Sequence, residues 1–345
     1  MIKKKTVFFV FFMLLGVALF GTSVYNSGID NIIKVLSEFS LLKFLFLVAI
    51  SFFNFYLYSL RWQIIVGTIF KEKKISGSTF FWDRMAAYAI SYVTPMSNMG
   101  GEPLRILLLE EEGVPKKIGT SSVIIDKALE TSTLIIFICS GILVALLDSR
   151  VDYTSKTVMG TAAMVMLFLV FWFYYTSIRG KGFFSFLFKI LHLRKIKRIA
   201  KFEEKLNEFE REMNSFYRQN PKALRILMLI SLFTVLFILL EHFLVAYFMG
   251  VNLSFTQAFL SSTIPYFALL LPVPGGLGIL ESGHTAVFLL LGVSINAFAF
   301  VFIIRLRDFI FILFGLIRGW HRGLKIMKKE YREEFISNGK EIQAE

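Results

Sequence analysis

The sequence is poor in cysteine and in charged residues. Cys139 is the one cysteine among 345 residues, so no intrachain disulfide and no cysteine-built zinc cluster can form, and we expect Cys139 to be a small core residue. Charged residues make up 18%, against about a quarter in soluble domains. Hydrophobic residues reach 56%, with 40 Phe and a mean hydropathy of +0.65. This composition excludes a disordered chain, a disulfide scaffold and an ordinary cytosolic enzyme, and it predicts an all-α polytopic membrane protein.

Six apolar stretches are long enough to cross a hydrocarbon core of roughly 30 Å. We predict these full spans at Thr6–Val24, Phe44–Leu60, Thr131–Leu147, Thr157–Ile178, Ile226–Tyr247 and about Ile295–Ile317. The first is longer than the apolar core of a cleaved signal peptide, so we interpret it as a retained helix.

Two further apolar stretches are interrupted by proline and glycine. In Thr79–Leu109 and Phe255–Leu291 the interruptions are Pro95, Gly100, Gly101, Pro265, Pro272, Pro274, Gly275, Gly276 and Gly278. Unpaired backbone is costly in lipid, so broken helices persist at membrane depth only inside protein or along a wet cavity. We therefore interpret both stretches as re-entrant helical hairpins.

The net charge of +13 is concentrated in segments that this topology places in the cytoplasm. Segment 179–225 holds 13 Lys and Arg and segment 318–345 holds 7, whereas the external segments hold Lys34, Arg150 and Lys156. This distribution follows the positive-inside rule. We expect a multi-pass protein of the cell (plasma) membrane with both termini in the cytoplasm. Because the basic charge is confined to the inner face, we expect no nucleic acid partner.

The order of spans and hairpins repeats once along the chain. Each half has two spans, a hairpin and a span, and three crossings per half invert the second half. We predict one membrane domain over 1–345, with inverted-topology repeats at 1–150 and 151–320 and a charged cytoplasmic tail at 321–345. Inverted repeats with broken helices are a recurring plan of secondary transporters.

The second repeat includes a cytoplasmic amphipathic segment at 179–222. Apolar residues recur every three or four positions between Ile199 and Phe216, with charged residues between them. Segment 183–218 suits a helix lying on the anionic inner leaflet. The alternative is a connector whose apolar face packs on the helix bundle.

Charged residues inside the apolar stretches are the strongest functional candidates, because a charge in a membrane is costly unless it is paired or used. The candidates for a headgroup or phosphate site are Arg61, Asn98, Gly100, Gly101, Glu102, Arg105, Pro274, Gly275, Gly276, Gly278, Glu281 and Arg305, with Asp126, Glu130, Glu241 and Asp308 as supporting charges. Guanidinium groups match phosphate oxygens, and helix starts after the glycines add N–H donors. The alternative is that these charges form internal ion pairs. Asp83, Arg84 and Lys127 are further intramembrane charges, and for these three the alternative is that they lie near the cytoplasmic edge and extend to the interface.

Two motifs resemble signatures of the lysylphosphatidylglycerol synthase transmembrane-region family, also called flippase-like domain proteins. Pro95 to Arg105, with Gly100-Gly101-Glu102, resembles the first signature, and Leu271 to Glu281, with Pro274-Gly275-Gly276, resembles the second. Arg305 stands where the family carries an arginine in its last helix, and Asp126-Lys127 stands where it often has a Glu-Arg pair. The resemblance implies an integral membrane protein that moves a lipid between leaflets.

We therefore expect a lipid translocase that takes a membrane phospholipid or a polyprenyl-linked lipid. In full-length relatives, a soluble lysyltransferase domain of a few hundred residues follows this region; only 28 residues follow Ile317, so we expect neither that domain nor its transferase activity. The alternatives are an intramembrane transferase of phospholipid or lipid-linked glycan synthesis and a non-transporting cell-envelope subunit. Against an enzyme, the sequence has no HExxH, GxSxG or Walker motif and its four histidines are scattered. We expect no cofactor and no metal. The sequence leaves open whether the protein forms a homo-oligomer.

Overall fold

The chain folds into helices joined by short connections. The computed structural model describes residues 25, 29–94, 100–147, 153–180, 182–190, 203–263, 265–266 and 273–342. Within these ranges the regular elements are twelve α-helices and a 3-10 turn at Pro274–Gly276, residues 265–266 are also in 3-10 conformation, and no strand occurs. The helices are α1 (Ile29–Glu38), α2 (Leu41–Ile69), α3 (Gly77–Val93), α4 (Glu102–Glu111), α5 (Lys116–Leu147), α6 (Tyr153–Ile178), α7 (Phe183–Ile190), α8 (Glu203–Gln219), α9 (Pro221–Phe248), α10 (Phe255–Thr263), α11 (Ile279–Leu290) and α12 (Ala297–Ile342).

Four of the described helices are long and apolar enough to cross a membrane. They are α2, α5, α9 and, from Lys156, α6. Each contains one of the predicted spans, at Phe44–Leu60, Thr131–Leu147, Ile226–Tyr247 and Thr157–Ile178, and these four are confirmed as apolar helices. The predicted first span, Thr6–Val24, lies outside the described residues.

The predicted last span lies in α12, which is longer than we expected. This helix begins at Ala297, passes the predicted end at Ile317 without a break and ends at Ile342. It therefore includes most of the segment that we predicted as a charged tail. Since no proline follows Pro274 and Lys, Arg and Glu are good helix formers, the charged part continues the helix.

Both predicted helix breaks are present. α3 ends at Val93, where Thr94 is extended, and α4 begins after Gly101. The second break holds Gly275, Gly276 and Gly278, all with positive φ (55°, 60° and 75°), a region that glycine enters at little cost. Proline and glycine thus end the helices where the sequence indicated. Asn98, Pro95 and Pro272 lie outside the described residues.

The two ends of each broken segment lie side by side. Before α3, Lys73 Nζ donates to the carbonyl of Glu112, which follows α4, at 2.7 Å. In α10, Gln257 Nε2 donates to the carbonyl of Leu291, which follows α11, at 3.3 Å. Each broken segment therefore returns to the level at which it started.

In each broken segment, the side on which the first and last residues lie together is its open end. The two open ends lie at opposite ends of α2. Near the start of α2, Lys43 Nζ donates to the carbonyl of Phe248, the last residue of α9, at 3.3 Å. The second broken segment follows the end of α9, whereas the first follows the end of α2. The 29 residues of α2 span about 43 Å at about 1.5 Å per residue, enough to separate the two sites across a membrane.

The amphipathic helix α8 packs on the bundle. Met213, Phe216 and Tyr217 are buried together with Phe173 of α6 and Leu227 of α9. This arrangement matches the connector that we considered as the alternative, and contact with the inner leaflet stays a prediction.

Candidate functional site

Asp126 is the centre of one charged cluster, and three arginines donate to its carboxylate. Arg61 Nε lies 2.7 Å from Oδ1, while Arg84 Nη1 and Arg105 Nη2 each lie 2.6 Å from Oδ2. The arginines stand on α2, α3 and α4, and Asp126 stands on α5, so one carboxylate joins four helices. The side chains of Asp126 and Arg61 are both 0% exposed. Removing one partner of such a buried pair leaves a charge that is costly to keep.

Glu130 and Lys127 extend this cluster by one helical turn. Glu130 accepts from Arg84 Nη2 at 2.6 Å and from Arg61 Nη2 at 3.3 Å. Lys127 Nζ lies 2.9 Å from Glu130 and 3.3 Å from Glu102 at the start of α4. The Asp126 cluster thus combines four cations with three carboxylates, a surplus of one positive charge.

Arg305 of α12 fixes the second helix break. Its Nε and Nη2 form a bidentate pair with Glu281 of α11 at 2.5 and 3.0 Å. Nη1 donates to the hydroxyl of Tyr92 at 2.8 Å and to the carbonyl of Gly275 at 3.0 Å, and Nη2 donates to the carbonyl of Gly276 at 3.2 Å. One side chain therefore satisfies carbonyls that the broken helix leaves without helical partners and ties the break to α3.

A second set of ion pairs is formed by Arg307, two residues after Arg305 on α12. Arg307 Nη1 donates to Glu241 of α9, Nη2 donates to Asp308 at 2.8 Å, and Ser51 of α2 lies within 3.3 Å. With Arg305 and Glu281, these residues form what we name the Arg305 cluster. It combines two cations with three carboxylates, a surplus of one negative charge.

A cavity of about 260 Å³ is lined by residues of both clusters. Arg84, Arg105 and Lys127 line it from the Asp126 cluster, and Arg305 and Asp308 line it from the other. The volume is just below the range of about 300–1,000 Å³ of small-molecule pockets, a size that suits a headgroup rather than a whole lipid. The cavity therefore offers opposite surplus charges inside an otherwise apolar bundle.

Two glycines permit the close approach of backbone and side chain around this cavity. A Cβ on Gly101 would lie 1.9 Å from the carbonyl oxygen of Ala87, and the Gly101 N–H donates to Ser91 Oγ at 2.8 Å. A Cβ on Gly275 would lie 2.6 Å from the ring of Tyr92. Both glycines thus hold a break against the same helix, α3.

The structure brings most of the predicted site residues together. The predicted residues that line the cavity are Arg61, Glu102, Arg105, Glu130, Glu241, Gly275, Arg305 and Asp308. Behind them, Asp126 and Glu281 bind the arginines, and the backbone of Gly100, Gly101, Pro274, Gly276 and Gly278 forms the two breaks. Asn98 lies outside the described residues.

Asp83 and Arg84 form buried ion pairs and do not extend to the interface, which was the alternative for both. Arg84 is 8% exposed and binds the Asp126 cluster, and Asp83 is 3% exposed and binds Arg318 Nη2 at 2.8 Å. Sequence reasoning also missed Tyr88 and Tyr92, which line the cavity with Arg84. Their spacing of four residues puts all three on one face of α3, and this recurrence of polar groups was the available signal.

The arginines differ in their remaining hydrogen-bonding capacity. All three guanidinium nitrogens of Arg61 and of Arg305 donate to protein acceptors. Arg105 stacks on Trp62 at 4.1 Å, and its Nε has no partner among the described residues. In this conformation, Arg61 and Arg305 form internal ion pairs, as the alternative predicts. Arg105 and, on the other side of the cavity, Arg307 each have an Nε without a partner among the described residues.

The described residues contain no group of three or more His, Cys, Asp and Glu side chains suited to hold a metal ion.

The sequence matches the family model described as the lysylphosphatidylglycerol synthase TM region over residues 7–315, that is 309 of the 345 residues. No curated protein and no solved structure was found to match the chain.

Proposed function

Because this chain belongs to the lysylphosphatidylglycerol synthase transmembrane-region family, we propose that it is a lipid translocase of the cell membrane. A phospholipid or lipid-linked headgroup would pass between the leaflets through the cavity while its acyl chains stay in lipid. The observation that carries the proposal is the charged cavity between the two helix breaks, inside helices that are apolar enough to cross a membrane. Such a cavity lowers the cost of moving a charged headgroup through the hydrocarbon layer.

The proposed topology has six spans and two re-entrant hairpins, with both termini in the cytoplasm. The contacts from Lys73 to Glu112 and from Gln257 to Leu291 support it, because they bring the two ends of each hairpin together. The open ends of the hairpins lie at opposite ends of α2, which supports entry from opposite leaflets.

The two halves of the proposed inverted repeat carry matching ion pairs. In the first half, Glu102 at the start of α4 pairs with Lys127 of α5 at 3.3 Å. In the second half, Glu281 in the first turn of α11 pairs with Arg305 of α12 at 2.5 Å. In both cases a carboxylate that follows a glycine pair binds a cation on the next long helix. This correspondence supports the proposed repeat and a proposed site between the two halves.

The lipid phosphate would bind on the side of the Asp126 cluster. That cluster has the positive surplus, and the Nε of Arg105 has no hydrogen-bond partner in the described part of the chain. A phosphate can take this donor without breaking the three ion pairs of Asp126. When the phosphate leaves, no further anion has to enter the cavity, because the carboxylates of the cluster still pair with the arginines.

The test is lipid transfer in proteoliposomes, followed by quenching of a fluorescent headgroup in the outer leaflet. A hydrogen bond to a charged group contributes about 1.5–3 kcal/mol, so Arg105→Gln should slow transfer roughly tenfold or more. Lys117→Gln is the matched control, because Lys117 is 49% exposed and pairs only with Glu208 and Glu212 of α8. Its transfer rate should equal that of the wild type.

Equal rates for Arg105→Gln and the wild type, with both proteins monodisperse in detergent, would contradict the proposed phosphate site. An absence of transfer in the wild type under all lipid compositions would contradict the translocase. Turnover of a lipid by the purified chain in detergent, where no leaflets exist, would instead support the intramembrane transferase.

A further inference from the structure

Two buried histidines face the cavity from different helices. His242 stands on α9 and His284 on α11, and they are 1% and 2% exposed. Their rings stack with centroids 5.5 Å apart and an interplanar angle of 14°. Both line the cavity, next to the ring of Phe300. None of the ion pairs described above uses either imidazole.

The hydrogen bonds of the rings determine what they present to the cavity. Nδ1 of His242 lies 2.9 Å from the carbonyl of Ile238, and Nδ1 of His284 lies 2.8 Å from the carbonyl of Leu280. A carbonyl only accepts, so Nδ1 carries the proton in each ring. In a neutral imidazole the other nitrogen, Nε2, is then an acceptor. Neither Nε2 has a hydrogen-bond partner among the described residues.

The surrounding charges indicate which kind of donor fits these two acceptors. Glu241 and Glu281, the carboxylates nearest in the chain, are already paired with Arg307 and Arg305. Asp308, the third carboxylate of this cluster, is paired with Arg307 as well, so an ammonium group would have to compete with the two guanidinium groups for these carboxylates. A neutral hydroxyl needs no carboxylate and can use the imidazole acceptors as they stand.

We propose that His242 and His284 form a subsite for the hydroxyl groups of a lipid headgroup, namely a glycerol or a cyclic polyol joined to the phosphate. The subsite lies in the cavity of the proposed translocase and rests on that function. Arg105 takes the phosphate and the two Nε2 atoms accept from the hydroxyls. The subsite thereby binds this headgroup more tightly than a headgroup that has the same charge but no hydroxyl to donate.

The experiment measures lipid binding to the purified full chain in mixed micelles. Phosphatidylglycerol and phosphatidylinositol are each compared with phosphatidylmethanol, because all three carry one phosphodiester charge and only the first two offer headgroup hydroxyls. We expect the wild type to bind the hydroxylated lipids about fivefold more tightly, as one net hydrogen bond provides. The two hydroxylated lipids distinguish a glycerol from a ring polyol.

The variants His242→Phe and His284→Phe should remove this preference. Phenylalanine keeps the ring, and the affinity for phosphatidylmethanol should stay unchanged, which also shows that the cavity is intact. If either variant does not fold, leucine at the same position, His242→Leu or His284→Leu, replaces it, because leucine also removes the acceptor. His321→Phe is the matched control: its Nδ1 lies 2.8 Å from the carbonyl of Ile317 in the same way, but the side chain is exposed on α12. It should keep the full preference.

Three results would overturn the proposal. The first is equal affinity of the wild type for all three lipids, which would leave only water at the two nitrogens. The second is a preference that survives in both phenylalanine variants. The third is a histidine-dependent preference for phosphatidylethanolamine over phosphatidylcholine, which would indicate an ammonium site. Binding with the expected preference but without lipid transfer would contradict the translocase and leave the subsite standing.

Discussion

At the scale of single residues, the contacts around Asp126 decide which substitutions the fold tolerates. The sequence already indicated that Asp126 and Glu130 share a face of α5, because they are four residues apart. It could not indicate that both bind Arg84, because a helical pattern shows the direction of a side chain on its own helix and not the partner opposite. For Arg84 the sequence therefore left open whether it pairs inside the membrane or extends to the interface, and the structure shows it buried between Asp126 and Glu130.

We predict that Asp126→Asn destabilises the protein strongly. The amide keeps the shape of the side chain but leaves Arg61, Arg84 and Arg105 with less than their balancing charge in a buried site. Breaking a buried ion pair costs about 3–5 kcal/mol, so the thermal unfolding midpoint in detergent should fall by many degrees.

Glu208→Gln is the control for Asp126→Asn. Glu208 is 46% exposed and pairs with Lys117, which is also exposed, so water replaces the lost contact and the midpoint should barely move. If the two substitutions lower the midpoint equally, the Asp126 cluster does not carry the stability that its burial indicates.

At the scale of helices, the contact between α3 and α12 holds the first broken segment to the last helix. The breaks at Pro and Gly were predictable, because these residues end helices through their own backbone chemistry. The length of α12 was not, because the apolar pattern ends at Ile317 while the helix continues. The very next residue, Arg318, binds Asp83 of α3 at 2.8 Å, so a residue beyond the predicted span contributes to the packing.

Gly315 permits a close approach of α12 to α3. A Cβ at this position would lie 2.3 Å from the carbonyl oxygen of Met85 and 2.8 Å from Cβ of Ala89. We predict that Gly315→Ala separates the two helices and lowers the free energy of unfolding by about 1–3 kcal/mol, as other overpacked cores show. Thermal unfolding in detergent measures this change.

The neighbouring glycine provides the comparison for that substitution. Gly319 lies one helical turn further along α12, and a Cβ there would lie 3.8 Å from Cβ of Ala86, an ordinary contact. Gly319→Ala should leave stability unchanged or raise it slightly, because alanine is the better helix former. Equal losses in both variants would contradict the prediction, because the close approach to α3 exists at Gly315 and not at Gly319.

At the scale of the whole molecule, composition and charge distribution predicted the class of the protein but not the assembly of its site. Four of the predicted spans lie in helices that are long and apolar enough to cross a membrane, because a long apolar run in the sequence determines both properties. The partners of Asp126 lie 65, 42 and 21 positions away in the sequence, and no local pattern connects them. The site could be named from the sequence as a set of charges, whereas its division into two clusters with opposite surplus charge required the structure.

Labelling of single cysteines can test the proposed topology as a whole. Cys139 is buried, with Sγ 3.7 Å from the carbonyl of Ala163, and Cys139→Ser keeps that contact, so the background free of cysteine should fold. Into it go Lys74→Cys and Lys116→Cys, which flank the first hairpin, and Asn252→Cys and Ser294→Cys, which flank the second. All four positions are exposed.

An impermeant maleimide should label positions 252 and 294 in intact cells and positions 74 and 116 only after permeabilisation. The reason is that a re-entrant hairpin has both ends on one side, and an odd number of spans separates the two hairpins, so their ends face opposite sides. Labelling of the two ends of one hairpin from different sides would make it a full crossing. It would also put the basic segments on the outside, against the positive-inside bias, and it would remove the opposed breaks on which the translocation cavity depends.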